Sequence, residues 1–181
     1  AELGSMVLIY KLLKAWKMNT RNLMLYTLNP LVIIEFAGGL HGEVFMIFFL
    51  LLSLWLLTEK RQLVSGAVFG LSVGTKLLPL MFLPFYIKRL GWMKTMVYST
   101  VAMATVGLLY FPFWSSDMVP NVLSSVRLYF ANFEFNASVY YLFREAGILL
   151  TGYNQIVIIG RILSLSVLST ILLIAWRNKN K

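Results

Sequence analysis

Residues 29–49 read Asn29-Pro-Leu-Val-Ile-Ile-Glu35-Phe-Ala-Gly-Gly-Leu-His41-Gly-Glu43-Val-Phe-Met-Ile-Phe-Phe49. Here the only histidine of the chain and two of its seven acids interrupt strongly apolar sequence. Glu35 lies inside one hydrophobic run. His41 and Glu43 stand at the mouth of the next, and Gly38, Gly39 and Gly42 break the two apart. Two apolar runs around a glycine break read as two helices joined by a turn. In a membrane such polar groups are costly, so their presence points to function.

The rest of the chain sets that environment. Of 181 residues, 59% are hydrophobic, 15% aromatic and 13% charged, with a mean hydropathy of +0.77. This composition predicts an all-α, multi-pass helical membrane protein. About 20 apolar residues make one crossing, so the length accommodates about five or six transmembrane or half-membrane helices and no separate soluble domain. Cysteine is absent and histidine single, which disfavours disulfides, a cysteine nucleophile and a zinc site built by the protein alone. The net charge of +9 is gathered in short basic clusters between apolar runs, so it argues for membrane topology and against nucleic acid.

Read in order, the run Met6 to Leu13 is too short for a crossing and resembles the tail of a truncated helix. Gly4-Ser5-Met6 also fits a tag remnant before a methionine start. Residues 1–5 are therefore set aside, and 6–181 are taken as one helical membrane domain with an outer segment at 115–154. Lys11, Lys14, Lys17 and Arg21 form a basic connector before a run from Leu23 to Ala37, in which Pro30 should kink or start a helix. Val44 to Leu57 is a continuous apolar helix ending at Glu59-Lys60-Arg61. Leu63 to Ile87 is long enough for one crossing, but Gly74-Thr75-Lys76, Pro79 and Pro84 interrupt it and Lys88, Arg89 and Lys94 follow. If both basic clusters face the cytoplasm, this stretch goes out and returns, turning near Lys76.

Gly91 to Trp114 then crosses outward, and its closing aromatics suit an interface. A short interfacial helix is predicted near Ala137 to Leu150 and a last crossing from Gln155 to Trp176. On this topology twelve of the sixteen basic residues share one side, which the positive-inside rule makes cytoplasmic. The Gly38–Gly42 turn, the Lys76 turn and the 115–154 segment then share the outer side of the plasma (inner) membrane.

Each candidate has a plainer reading. Glu43 falls in the first turn of a helix, where the dipole favours a negative charge. Lys76 lies between two apolar half-helices, where an ammonium can neutralise a lipid-linked phosphate or simply snorkel. Asn136 is a candidate for sugar contact, or caps a short helix that Tyr140 and Tyr141 anchor in the interface. Arg144 belongs to the same segment. Gly66, Gly70 and Gly74 recur every four residues and predict close helix packing with no chemistry. Neither a glycine-rich phosphate loop nor a nucleophile elbow is present.

Four blocks, in this order and spacing, resemble bacterial GT-C mannosyltransferases. They are Asn29-Pro-Leu-Val-Ile-Ile-Glu35, Gly39-Leu-His-Gly-Glu43, Gly70-Leu-Ser-Val-Gly-Thr-Lys76-Leu-Leu-Pro-Leu80 and Phe133-Glu-Phe-Asn136-Ala-Ser-Val-Tyr140-Tyr141. The resemblance implies a GT-C-like membrane enzyme that moves a sugar, mannose above all, from a polyprenyl-phosphate donor to a glycan or glycolipid acceptor on the outer face. Family members commonly carry Gly-Asn where this chain has Gly38-Gly39. The first outer loop of the family, with its acidic catalytic residue, has no counterpart here, so the chain reads as the family's C-terminal part, or as a degenerate or split member served by a missing N-terminal half.

On that reading Glu43 and Glu35 are the catalytic candidates. His41, Lys76, Asn29, Asn136, Tyr140 and Arg144 are the substrate-binding ones, with His41 and Lys76 on the leaving phosphate. No metal ligand set and no certain cofactor is visible in the sequence, although a divalent metal is compatible with the chemistry. The alternative is a non-catalytic membrane subunit or transporter fragment that binds an anionic lipid or solute at the same outer pocket.

Overall fold

The computed structural model describes residues 1–34, 42–131 and 138–177. Glu35, His41 and Asn136 lie outside the described residues. Among those described, every regular element is helical, and the chain forms two compact units, Ala1–Pro112 and Phe113–Lys181.

In the first unit α1 (Glu2–Ala15) leads through Thr20–Asn22 to the short helices α2 (Leu23–Thr27) and α3 (Pro30–Val32). Pro30 starts α3 and does not kink it: it occupies the first helical position, where its missing N–H costs nothing, and the Asn29 side chain accepts from Leu31 N at 3.0 Å. After α4 (Glu43–Thr58) the chain reverses at Glu59-Lys60-Arg61 into α5 (Gln62–Thr75). Lys60 takes a left-handed φ of 61°, and Arg61 N donates to Leu56 O at 3.0 Å, closing the end of α4. A 3-10 turn (Leu78–Phe82), α6 (Leu83–Leu90) and α7 (Trp92–Tyr110) complete the unit.

Small residues set how these helices meet. A Cβ placed on Gly4 would lie 2.5 Å from the Phe48 ring, and Lys11 Nζ stands 4.4 Å over the Trp55 ring, so α1 and α4 run parallel. Residues 2–5 belong to this helix, and Ser5 is fully buried. Ser65 Oγ donates to Ser53 O and Ser72 Oγ donates to Met46 O, both at 2.7 Å, which fixes α5 antiparallel to α4. On the other face of α5, Gly66 meets Tyr98, Gly70 meets Ala102 and Gly74 meets Leu109, so α5 and α7 are parallel and in close contact.

Parallel neighbours require a return path, and the 3-10 turn and α6 supply it. The Tyr86 ring of α6 sits 5.7 Å from Phe69 of α5 and 5.0 Å from Tyr98 of α7, forming a core with Leu57, Val73 and Ala102. Residues 63–87 therefore go out along α5 and come back along α6. These pairings place Lys14, Lys17, Lys60, Arg61, Lys88, Arg89 and Lys94 toward one end of the unit, and Glu43, Lys76 and Tyr110 toward the other.

The second unit contains α8 (Met118–Ala131), α9 (Ser138–Thr151) and α10 (Ile156–Arg177). The last two fall where the sequence predicts them. Helix α8 is additional: Pro120 lies in its first turn, where proline is tolerated, and Asn121 O accepts from both Ser124 Oγ and Ser125 Oγ at 2.9 Å. Among the described residues two stretches are long and apolar enough to cross a membrane, Trp92–Phe113 and Ile156–Arg177. Met93, Met96, Met103 and Leu108 on the first, and Ile162, Leu165, Leu172 and Leu173 on the second, are exposed, an apolar surface of the kind lipid covers. Helices α4 and α5, with 16 and 14 residues, are shorter.

Candidate functional site

The antiparallel α4–α5 pair brings the first residue of α4 beside the residue that ends α5. Glu43 opens α4 in the first turn, where the helix dipole favours a carboxylate. Lys76 follows Thr75 with an extended backbone (φ −160°, ψ 140°), which stops α5 and turns the ammonium outward at its carbonyl end. Lys76 Nζ donates to Glu43 Oε1 at 2.6 Å, with the two side chains 54% and 37% exposed. An ammonium at a helix C-terminus and a carboxylate at a helix N-terminus each suit their own dipole, and here they also suit one another.

The backbone under this pair is held from three directions. Tyr110 Oη donates to Gly74 O at 2.6 Å, satisfying a carbonyl in the last turn of α5 and bringing the end of α7 to the site. Thr75 Oγ1 donates to Ser72 O at 2.6 Å, and Ser72 ties α5 to Met46 one turn into α4. Gly74 admits Leu109, since a Cβ there would stand 2.7 Å from Leu109 Cδ2. The outcome is a firmly seated, solvent-reachable cation and anion, able to bind an acidic oxygen and to accept a proton.

The structure thus brings together Glu43 and Lys76, which the sequence left 33 residues apart. His41 lies two residues before Glu43 in sequence. Asn29 has a structural role in the cap of α3. In the second unit Tyr140 is buried and its hydroxyl donates to Asn154 Oδ1 at 2.9 Å. Arg144 pairs with Glu145 at 2.9 Å and lies 4.8 Å over the Tyr141 ring. Tyr110 is the residue that sequence reasoning missed: among the aromatics closing α7 nothing distinguished a hydroxyl bound for Gly74 O. Among the described residues no three of His, Asp and Glu gather as a metal would require.

Residues 3–111 match the family model described as MptA_B family, alpha-(1→6)-mannopyranosyltransferase, N-terminal domain. The chain belongs to the MptA_B family. This meets the expectation of a bacterial mannosyltransferase family of the GT-C type. The matched model is an N-terminal domain, whereas the block resemblance suggested the C-terminal part. The match covers α1 through α7 and includes Glu43 and Lys76, and it supports glycosyltransferase activity in general. No curated protein and no solved structure matches the chain.

Proposed function

We propose that this MptA_B family member is a multi-pass enzyme of the plasma (inner) membrane that transfers mannose from a polyprenyl-phosphate donor to a glycan or glycolipid acceptor on the outer side. The observation that carries this reading is the Glu43–Lys76 pair, seated within the matched stretch at the end of the first unit away from its basic clusters. Positive residues favour the cytoplasmic side, so the opposite end faces outward.

In the reaction an acceptor hydroxyl oxygen bonds to the sugar carbon while that carbon's bond to phosphate oxygen breaks, the electron pair leaving with the phosphate. The acceptor proton goes to a carboxylate, for which Glu43 is the candidate and Glu35 the alternate. Lys76 and His41 stabilise the charge growing on the phosphate. Asn29, Asn136, Tyr140 and Arg144 remain candidates for sugar and acceptor contacts.

The test is transfer from radiolabelled polyprenyl-phosphate mannose in membranes that contain the protein, beside membranes of an empty host. Glu43→Gln and Lys76→Ala should each lower transfer by about 100-fold or more while insertion is unchanged, in line with the loss of a general base or of charge stabilisation at a leaving group. Undiminished transfer in both variants would remove this pair from the mechanism. Donor binding without transfer in the unaltered protein would favour the non-catalytic lipid-binding alternative.

A further inference from the structure

The glycine stripe that seats α7 on α5 runs through Gly74, Gly70 and Gly66, and its next position toward the basic end is Gln62. At Gly66 the helices still touch, since an added Cβ would stand 3.1 Å from Tyr98 O and 3.4 Å from Val101 Cβ. One turn earlier Gln62 and Leu63 face Met93, Lys94 and Val97, and side chains of that size do not let two backbones close up. They enclose a groove of about 190 Å³, lined also by the buried Tyr98.

We infer that this groove holds the headgroup end of an anionic phospholipid from the leaflet at the basic end of the first unit. Its phosphate lies on Lys94 and Gln62, and its first methylenes lie on Leu63, Met93 and Val97. The inference rests on the membrane reading above and not on the transfer reaction. Gln62 and Lys76 stand at opposite ends of α5, about 20 Å apart at 1.5 Å a residue, so the groove is separate from the candidate site.

The lining names the class of occupant. Leu63, Met93 and Val97 are apolar and exposed, a surface that a lipid covers and a small hydrated anion does not. Lys94 brings an ammonium and Gln62 an amide N–H, both donors to a phosphate oxygen. The depth agrees as well. Lys94 belongs to the first turn of α7, at the start of the membrane-length stretch Trp92–Phe113, where headgroups meet acyl chains.

Charge decides which lipid. A helix dipole disfavours a cation in the first turn, yet Lys94 is there. Because α5 and α7 are parallel, two positive helix ends flank the groove, with Arg61 before one and no acid in the first turn of either. From residue 59 to residue 94 Glu59 is the one acid, against Lys60, Arg61, Lys88, Arg89 and Lys94 toward this end. A phosphodiester supplies the negative charge that the groove lacks, whereas a zwitterionic head would carry a cation of its own toward Lys94.

The experiment titrates the full protein in dodecyl maltoside micelles with phosphatidylglycerol, with phosphatidylcholine and with inorganic phosphate, and reads retained lipid by native mass spectrometry. Phosphatidylglycerol should bind about fivefold or more tightly than phosphatidylcholine, and inorganic phosphate should not displace it. Lys94→Gln should weaken phosphatidylglycerol binding about fivefold, the effect of one basic residue at a membrane surface, while Lys94→Arg keeps it within about twofold. Val97→Trp fills the groove from an exposed position and should weaken binding without any change of charge. Lys14→Gln, in the last turn of α1, removes the same charge outside the groove and should leave affinity unchanged. Equal losses in Lys14→Gln and Lys94→Gln would mean that a diffuse basic surface holds the lipid, and the groove reading would fall. It would fall too if Val97→Trp bound phosphatidylglycerol like the unaltered protein, if the two lipids bound alike, or if inorganic phosphate displaced the lipid.

Discussion

At the scale of single residues, two lysines carry backbone that lysine does not favour. Lys17 and Lys60 have φ of 55° and 61° where they end α1 and α4. Met18 N donates to Leu13 O at 2.8 Å just as Arg61 N does to Leu56 O. These positions ordinarily take glycine, which has no Cβ to clash. The lysines keep positive charge at the basic end, at the cost of that strain. Lys60→Gly should raise stability by about 0.5–1 kcal/mol, the left-handed strain relieved less the added freedom of the unfolded chain. Thermal unfolding in detergent should show a higher midpoint for Lys60→Gly and a lower one for Lys60→Val, whose branched side chain fits the left-handed region worst.

At the scale of elements, α5 is the helix on which the first unit is assembled. Serines on it bond to α4 and glycines on it admit α7, so its two faces use two kinds of small residue. A Cβ on Gly70 would lie 2.5 Å from the Ala102 carbonyl oxygen and 2.8 Å from Thr105 Cβ, and backbone cannot step aside as a flexible side chain can. Gly70→Ala should therefore cost about 1–3 kcal/mol by forcing α5 and α7 apart. Gly107→Ala, with nothing within 4 Å of the added carbon, should leave stability unchanged or slightly improved. The contrast is read by unfolding both variants under the same conditions; equal losses would show that close approach of α5 to α7 does not set the packing.

At the scale of the whole molecule, the first unit gathers its basic residues toward one end and its candidate site toward the other, which makes the proposed orientation measurable. The chain has no cysteine, so each introduced cysteine is the only one to label. In intact cells a membrane-impermeant maleimide should modify Thr75→Cys, and should reach Arg61→Cys only after the membrane is opened. The reverse pattern would turn the first unit over and put Glu43 and Lys76 on the cytoplasmic side, against the proposed donor and acceptor geometry. Modification of both in intact cells would mean that α5 does not separate the two compartments.

The sequence by itself determined the helical class, because apolar runs between glycine breaks and basic clusters leave no strand alternation to compete. For residues 63–87 it offered a turn near Gly74-Thr75-Lys76 only on the condition that both flanking basic clusters share a side, and it was the packing of Tyr86 on α6 against Phe69 and Tyr98 that decided the return. The glycine stripe on α5 announced close packing, though not which partner would fill it. Helix α8 escaped because 115–154 read as one outer segment with a single short helix, while a first-turn proline and serine side-chain bonds to the Asn121 carbonyl are compatible with a further helix there. Glu43 and Lys76 stood out singly, as charges in apolar surroundings. Only the tertiary structure decided that they form one pair: that depends on the register between antiparallel helices, set by buried Ser65 and Ser72 reaching carbonyls of α4, and no local periodicity encodes such a register.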